Sequence, residues 1–316
     1  MTRVAGIDCG TNSIRLLVAD LDSGGTAGRL TDVVRRMEIV RLGHGVDRTG
    51  RIAPEAMART LAAARDYAAQ CADLQVDRVR FVATSASRDA QNAADFVDGV
   101  REAFAAFGVA PEVISGDEEA SLSFQGAVAG LDAAGIAGPY LVVDLGGGST
   151  ELVRGTSALE QARSVDVGSV RMTERHLTSD PPTEQQVAGA VTDVETAIEE
   201  AAGEVDFAGV RTLVGVAGSI TTLTAHALGL DSYDPAAIHL SRLPADKVLQ
   251  ACTDLLQMSR AARAALPYMH PGRVDVIGGG ALVWRAVVQR LERDAGITEV
   301  VTSEHDILDG IALSIA

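Results

Sequence analysis

Apolar residues along the chain follow two alternating patterns. Short apolar runs bounded by turn residues predict strands, and apolar residues that recur every three or four positions predict helices. The predicted strands cover residues 3–9, 13–22, 29–41, 78–85, 111–115, 140–145, 150–155, 159–167, 211–218 and 298–303. The predicted helices cover residues 54–74, 88–108, 116–131, 169–177, 183–203, 219–230, 244–256, 259–265 and 304–316, and residues 273–294 read as a turn followed by a helix.

The predicted elements repeat one plan. Three strands, a helix, a strand and a helix occur twice, at an offset of about 136 residues. At that offset Asp8 falls on Asp144 and Gly10 on Gly146, and the pattern continues with Ser13 on Ser149 and Arg15 on Glu151. Self-similarity of this kind indicates a duplicated structural unit. The sequence therefore predicts an α/β protein of two βββαβα units that pack face to face, with a cleft between them.

The two copies share a strand that ends in aspartate, a turn of glycine and small hydroxyl residues, and a second strand. The first copy reads GIDCGTNSIR and the second VDLGGGSTE. Such a turn exposes several backbone N–H groups, which can bind an anion, and glycine lets the backbone approach it. The aspartate can hold Mg²⁺ through water or orient a water molecule. The repeated turns therefore predict a phosphate-handling site.

Composition narrows the possible partners. The net charge of −16 argues against general binding of nucleic acid or anionic membranes, which needs a basic surface. Only one lysine, Lys247, is present, so nearly all positive charge is on arginine, the better bidentate ligand for phosphate. The three scattered cysteines predict no disulfide framework, and the start of the chain shows no signal-peptide pattern. Together these features predict a cytoplasmic protein with no membrane span.

Other polar positions have a structural and a functional interpretation. Arg88, in TSASRDA, is either a surface arginine or a ligand of phosphate. Glu118 and Glu119 are either acids favoured by the dipole of a helix start or a base that activates water. Three further segments offer small polar residues at a turn or helix start: VGSVRMTE (167–174), GVAGSITTL (215–223) and RVDVIGGG (273–280), the last with Arg273 before its glycines.

The motifs together resemble one known family. GIDCGTNSIRLLV, TSASRDA, ISGDEEA, VVDLGGGSTELV, VGSVRMTE and RVDVIGGGALV occur in order over nearly the whole chain. This set is similar to the exopolyphosphatase / guanosine pentaphosphate phosphohydrolase family of the actin-like ATPase superfamily. The resemblance implies two ribonuclease-H-like lobes with the site in the cleft between them. It implies a first lobe of residues 1–125 and 300–316 and a second lobe of residues 126–299.

The resemblance also implies an activity and a set of site residues. The family hydrolyses the terminal phosphoanhydride of inorganic polyphosphate with Mg²⁺ or Mn²⁺. Glu119 matches the general base, and Asp144 the strand-end carboxylate of the second loop. The metal is expected near Asp8, Asp144 and Glu151. The positions expected to contact phosphate are Gly10, Thr11, Asn12, Ser13, Arg15, Arg88, Gly146, Gly147, Gly148, Ser149, Thr150 and Arg273.

Several alternatives stay open at this point. Guanosine pentaphosphate ends in the same phosphoanhydride as polyphosphate, so the loops do not separate the two substrates. An ATP-binding kinase or ATPase of the same superfamily, or a sensor that binds polyphosphate or an alarmone without hydrolysis, would carry similar loops. The chain resembles the short, two-domain members of the family, which suggests a preference for short polyphosphate. The resemblance further suggests a homodimer.

Overall fold

The computed structural model of the protein describes residues 1–22 and 29–315. Eleven strands are defined within them: β1 (Thr2–Cys9), β2 (Ser13–Asp22), β3 (Arg29–Ile39), β4 (Arg78–Ala83), β5 (Glu112–Val113), β6 (Tyr140–Leu145), β7 (Thr150–Gly155), β8 (Leu159–Val165), β9 (Thr212–Val216), β10 (Ser241–Pro244) and β11 (Glu299–Thr302). The predicted strands are found, and β10 is an additional short strand.

Thirteen α-helices lie among the described residues: α1 (Val46–Thr49), α2 (Pro54–Asp73), α3 (Ser85–Asp89), α4 (Ala93–Ala103), α5 (Gly116–Val128), α6 (Ser169–His176), α7 (Glu184–Ala202), α8 (Ala217–Leu228), α9 (Pro235–Ile238), α10 (Ala245–Gln257), α11 (Arg260–Ala264), α12 (Ile277–Ala295) and α13 (Ile307–Leu313). Two single 3₁₀ turns cover Ala105–Phe107 and Pro271–Arg273.

The strands form two sheets with the same internal order. The first sheet has the order β3-β2-β1-β4-β5, and the second has β8-β7-β6-β9-β11 with β10 added at its edge. In each sheet the first strand pairs antiparallel with the second and parallel with the fourth. Both sheets thus follow the order 3-2-1-4-5, which is the ribonuclease-H-like arrangement. The predicted duplication of a βββαβα unit is confirmed.

The chain divides into two compact units. One comprises Met1–Gly126 with Ile307–Ala316, and the other Ala127–Asp306. The division falls within α5. The expectation that the last strand would belong to the first lobe is wrong, because β11 pairs in parallel with β9 in the second sheet. The chain returns to the first unit only with α13.

Each unit has its own apolar core. In the first unit, the aromatic rings of Phe81 and Phe104 pack edge to face with centroids 5.5 Å apart, on the side of the sheet covered by α2 and α4. In the second unit, Trp284 of α12 is buried among apolar residues of β6, β9, α7 and α10. Most stabilisation of both units comes from this burial, which removes apolar area from water.

Two predicted elements differ from the structure. The helix expected over residues 88–108 is divided, because Ala90 is extended, with φ of −88° and ψ of 127°, and ends α3. Residues 278–280, expected as a glycine turn, lie in the first turn of α12. Among the residues that the structure describes, no helix combines the length and apolar character needed to cross a membrane.

Candidate active site

The first glycine turn is closed by its own backbone and held by a neighbouring segment. The N–H of Gly10 donates to the carbonyl of Ser13 at 2.9 Å. The carbonyl of Thr11 accepts from the N–H of Gly43 at 2.8 Å, and that of Asn12 accepts from the N–H of Arg41 at 2.9 Å. The C=O and N–H of a trans peptide point in opposite directions. The N–H groups of Asn12 and Ser13 therefore point away from the segment that holds the turn.

The second turn repeats this arrangement in the second unit. The N–H of Gly146 donates to the carbonyl of Ser149 at 3.1 Å. The carbonyls of residues 146–148 accept hydrogen bonds from N–H groups of residues 169–171, at the start of α6, over 2.6–3.1 Å. By the same peptide geometry the N–H groups of residues 147–149 point away from α6. Adjacent N–H groups that face one way can form an anion-binding concavity.

A glycine permits the close approach at each turn. A Cβ atom at Gly168 would lie 2.5 Å from the carbonyl oxygen of Gly147, and a Cβ at Gly43 would lie 2.4 Å from Cγ2 of Thr11. Neither position accepts a side chain without displacing the turn. The sequence does not mark residues 40–43, since the two glycines of RLGHG form no motif that indicates a site.

The hydroxyl and amide groups of the turns fall into two classes. Thr11 Oγ1 and Asn12 Oδ1 are buried, and within residues 1–22 and 29–315 no protein group forms a hydrogen bond with them. Buried polar atoms of this kind are rare unless a ligand or water satisfies them. Thr150 differs, because its hydroxyl donates to the carbonyl of Val167 at 2.5 Å. Thr11 and Asn12 are therefore available to a ligand, whereas the Thr150 hydroxyl supports the fold.

Asp8 lies at the end of β1, directly opposite Arg15 in the register with β2. Both Nε and Nη2 of Arg15 donate to Oδ2 of Asp8, at 2.9 and 2.6 Å. The aspartate is 4% exposed. Arg15 thus compensates the charge of a buried carboxylate next to the first turn.

Glu119 is the buried carboxylate of the first unit. Its Oε2 accepts from Nη1 of Arg88 at 2.7 Å, and the same nitrogen donates to the carbonyl of Ile114 at 3.0 Å. Burial has the largest effect on the pKa of Glu119 and raises it, and the nearby Asp8 also raises it. The Arg88 guanidinium and a hydrogen bond from Thr84 lower the pKa, but it is raised overall. A Cβ at Gly10 would lie 3.9 Å from Oγ1 of Thr84, so this cluster adjoins the first turn.

The predicted residues of the first unit therefore lie together: Asp8, Arg15, Arg88 and Glu119 surround one turn. In the sequence Thr84 is only a residue near the end of the predicted strand 78–85. Thr84 and Glu119 are 35 residues apart in the sequence, and the spacing of the motifs does not indicate that they are in contact. A carboxyl group with a raised pKa next to a charge partner is typical of catalytic sites.

The acids of the second unit lie across β6 and β7. Asp144 and Glu151 are register partners, 6% and 1% exposed, and Oε1 of Glu151 accepts from the hydroxyl of Ser164 at 2.7 Å. Carboxylate oxygens suit Mg²⁺ and Mn²⁺. Among the described residues no group of three or more His, Cys, Asp and Glu side chains is arranged to hold a metal. The pair fits a hard cation that completes its coordination with substrate oxygens and water.

Arg273 belongs to the 3₁₀ turn Pro271–Arg273, and its guanidinium packs against the first residues of α8 in the second unit. Its Nη1 donates to Oγ1 of Thr222 at 3.1 Å, its guanidinium lies 5.9 Å from the ring centroid of Tyr233, and a Cβ at Gly218 would lie 2.3 Å from Nη2. A side chain at this position would displace the guanidinium, which packs directly over the glycine backbone. Ala217, the residue before it, has φ of +71°, a left-handed conformation that costs free energy in a residue with a side chain.

Comparison with known proteins gives consistent results. The model of the Ppx/GppA phosphatase family matches residues 17–315. Exopolyphosphatase 2 of Mycobacterium tuberculosis is 54% identical over 318 residues, which cover 100% of this chain and 99% of the relative.

Solved structures agree with the family match. A crystal structure of an exopolyphosphatase-like protein has a TM-score of 0.95 and 47% identity, and covers 100% of this chain and 98% of its own. The PPX-GPPA enzyme of Aquifex aeolicus has a TM-score of 0.79 and 29% identity, and covers 99% of both chains. With the duplicated turns and the buried carboxylates, these matches show that the chain belongs to the Ppx/GppA phosphatase family of hydrolases.

Proposed function

We propose that the protein is an exopolyphosphatase, which hydrolyses the terminal phosphoanhydride of inorganic polyphosphate and releases orthophosphate. The observation that best supports this activity is the position of Glu119, a buried carboxylate that pairs with Arg88 beside the first glycine turn. The identity of 54% to Exopolyphosphatase 2 over the full chain supports the same substrate class. Hydrolysis needs a group that accepts a proton from water, and this position provides one.

The reaction assigns roles to the residues already described. Glu119 accepts a proton from the attacking water, whose oxygen forms a bond to the terminal phosphorus. The bond to the bridging oxygen breaks, and the shortened polymer leaves with that oxygen. In the first unit, the N–H groups of the glycine turn, Arg15 and Arg88 bind charged phosphate oxygens, since phosphoryl transfer depends mainly on positioning and charge stabilisation. In the second unit, the N–H groups of the second turn and Arg273 are proposed to bind phosphate oxygens.

Asp144 and Glu151 are the residues that would hold Mg²⁺ or Mn²⁺, with Asp8 as the candidate of the first unit. A bound ion supplies charge neutralisation for phosphate oxygens. Asp8 is already paired with Arg15, so it is the weakest candidate of the three.

Replacing the base tests the assignment directly. Glu119→Gln keeps the size of the side chain and removes its proton-accepting ability, so kcat should fall by about 10²–10⁴-fold with little change in KM. Phosphate release from short polyphosphate measures both constants. Asp117→Asn is the matched control, since Asp117 is an exposed acid of the same helical turn and should retain full activity. Undiminished turnover in the Glu119 variant would refute the mechanism.

Asp144→Asn tests the metal assignment. Loss of one anionic oxygen should raise the Mg²⁺ concentration needed for half-maximal activity and lower the rate at saturating metal, by about tenfold or more. Titration of the purified variant with Mg²⁺ and with Mn²⁺ gives both quantities. An unchanged metal requirement would show that Asp144 does not hold the ion.

One assay separates the remaining substrates. Phosphate release is compared for short polyphosphate, long polyphosphate, guanosine pentaphosphate and ATP, each with Mg²⁺ and with Mn²⁺. A preference for short polyphosphate is expected, and preference for guanosine pentaphosphate would replace the proposal. Transfer to an acceptor other than water would favour a kinase, and binding without turnover would indicate a polyphosphate or alarmone sensor. A homodimer and a cytoplasmic location stay predictions.

A further inference from the structure

Arg80 of β4 connects three elements of the first unit through one guanidinium group. Nη2 donates to Oε2 of Glu112 at 2.7 Å and to Oε1 of Glu118 at 2.6 Å. Nε also donates to the carboxylate of Glu112, and Nη1 donates to the hydroxyl of Ser314 at 2.8 Å. The partners belong to β5, to the first turn of α5 and to the residue that follows α13. The Arg80 side chain is only 18% exposed.

The helix attached in this way carries Glu119. Successive residues of an α-helix point about 100° apart, so neighbouring side chains face different parts of the structure. Glu118 contacts Arg80, whereas Glu119 contacts Arg88. Two adjacent carboxylates in the first turn of α5 therefore form ion pairs with two different arginines. A rotation of the helix that moved the Glu119 carboxylate would also break the pair of Glu118 with Arg80.

Few backbone hydrogen bonds join the segment before α5 to the first sheet. Strand β5 has two residues and pairs with β4 at two positions only. Gly116 is the first residue of the helix, and the hydroxyl of Ser115 accepts from the N–H of Glu118 at 3.2 Å. The N–H of Ile114 also donates to the carbonyl of Ala83 at 3.1 Å, which is one further backbone bond to β4. The contacts of Arg80 add a side-chain attachment at the first turn of the helix itself.

We propose that Arg80 is a positioning residue for the reaction, which holds the first turn of α5 so that Glu119 meets the attacking water in the correct geometry. This inference rests on the proposed role of Glu119. Exposed ion pairs contribute little to global stability, and Glu112 and Glu118 are 51% and 45% exposed. A displacement of about 1 Å at a reacting group, in contrast, can cost up to about 10²-fold in rate. The effect on kcat should thus exceed the effect on folding.

The test uses the full chain with variants on both sides of the contact. Arg80→Gln removes the whole set of contacts, and Glu118→Gln removes only the link to α5. Both should lower kcat for short polyphosphate by about tenfold and leave KM within about twofold, because phosphate contacts are untouched. Arg80→Lys keeps the positive charge but loses the planar set of N–H donors, so its kcat should lie between those of Arg80→Gln and the unaltered protein. Arg78→Gln is the matched control, on the same face of β4, where Arg78 donates to the carbonyl of Ile315.

Amide hydrogen exchange supplies a readout that does not depend on the substrate. Arg80→Gln and Glu118→Gln should speed exchange in residues 116–122 and leave β1 unchanged, whereas Arg78→Gln should change neither. Unchanged exchange at the start of α5 would overturn the inference whether or not polyphosphate is the substrate. Equal kcat values in Arg80→Gln and Arg78→Gln would also overturn it. Inactivity of the unaltered protein on polyphosphate would instead refute the proposed function, with the exchange result still deciding the role of Arg80.

Discussion

Opposing influences act on the carboxyl group of Glu119. Burial and the nearby Asp8 favour the protonated form, whereas Arg88 and the hydroxyl of Thr84 favour the ionised form, and the pKa is raised overall from its ordinary value of 4.5. A general base acts only when ionised. Activity should therefore be present above the raised pKa and decline as the pH falls through it.

Replacing Thr84 should shift this decline. Thr84→Val keeps the shape of the side chain and removes the hydrogen bond that stabilises the carboxylate, so the pKa of Glu119 should rise further. The acidic limb of kcat/KM should move to higher pH, as measured by phosphate release over a range of pH. Thr84→Ser retains the hydroxyl and should keep the original profile. An acidic limb that does not move in Thr84→Val would contradict the role of this hydroxyl.

The sequence indicated which residues lie at the first turn, but not how they pair. Asp8 was expected near a metal and Arg15 near phosphate, whereas the two side chains pair with each other across β1 and β2. The contacts of Glu119 with Arg88 and of Glu118 with Arg80 join residues 31 and 38 positions apart. Such contacts depend on how a helix is set against a sheet, and a single sequence contains no periodic signal for them.

At the scale of elements, local signals predicted helix ends better than they predicted glycine function. The Thr183 hydroxyl accepts from the N–H of Gln186, and the Gln186 side chain accepts from the N–H of Thr183, so a capping box begins α7, where the sequence predicted a helix from residue 183. The three glycines of residues 278–280 resembled a turn but lie within α12, where small residues allow α6 and α8 to approach. A run of glycines can form a turn or can allow helices to pack closely, and the sequence alone does not distinguish the two.

Gly279→Ala tests this role. Alanine is favoured over glycine inside a helix by about 0.5–1 kcal/mol. A Cβ at Gly279 would, however, lie 2.4 Å from the carbonyl oxygen of Ser169 and 2.6 Å from Oγ1 of Thr173. The free energy of unfolding should therefore fall by about 1–3 kcal/mol, as in overpacked cores. Denaturant unfolding measures this change.

The matched control is Gly189→Ala in α7. Its Cβ would lie 3.4 Å from Nδ1 of His176, an ordinary contact, so the helix propensity of alanine should dominate and stability should rise slightly. If both variants were stabilised, the glycines of α12 would not be required for packing.

At the scale of the whole molecule, the duplication was visible in the sequence because each copy repeats the same strands, turn and spacing. The sequence did not show to which of the two sheets the last strand belongs. Strand β11 is a short apolar run, and the same pattern would suit either sheet. Its parallel pairing with β9 assigns it to the second unit, so the first unit is completed by α13 alone.

Gly310 of α13 tests how far the first unit depends on the last residues of the chain. Leu308 and Ala312 pack with Val4 and Leu17 of β1 and β2, so α13 covers one face of the first sheet. A Cβ at Gly310 would lie 1.9 Å from the carbonyl oxygen of Leu122, a backbone atom of α5 that no side-chain rotation can move aside.

Gly310→Ala should therefore detach α13 and loosen the first unit while the second unit stays folded. Amide hydrogen exchange should accelerate in β1, β2 and α5 and stay unchanged in β6 and β9, because each unit has its own core. Gly99→Ala in α4 is the control within the same unit: its Cβ would meet Cδ1 of Leu61 at 2.6 Å, the far end of a flexible side chain that can rotate away. Its exchange should change much less. Equal acceleration in both units after Gly310→Ala would show that they unfold together, and that the final helix stabilises the entire chain.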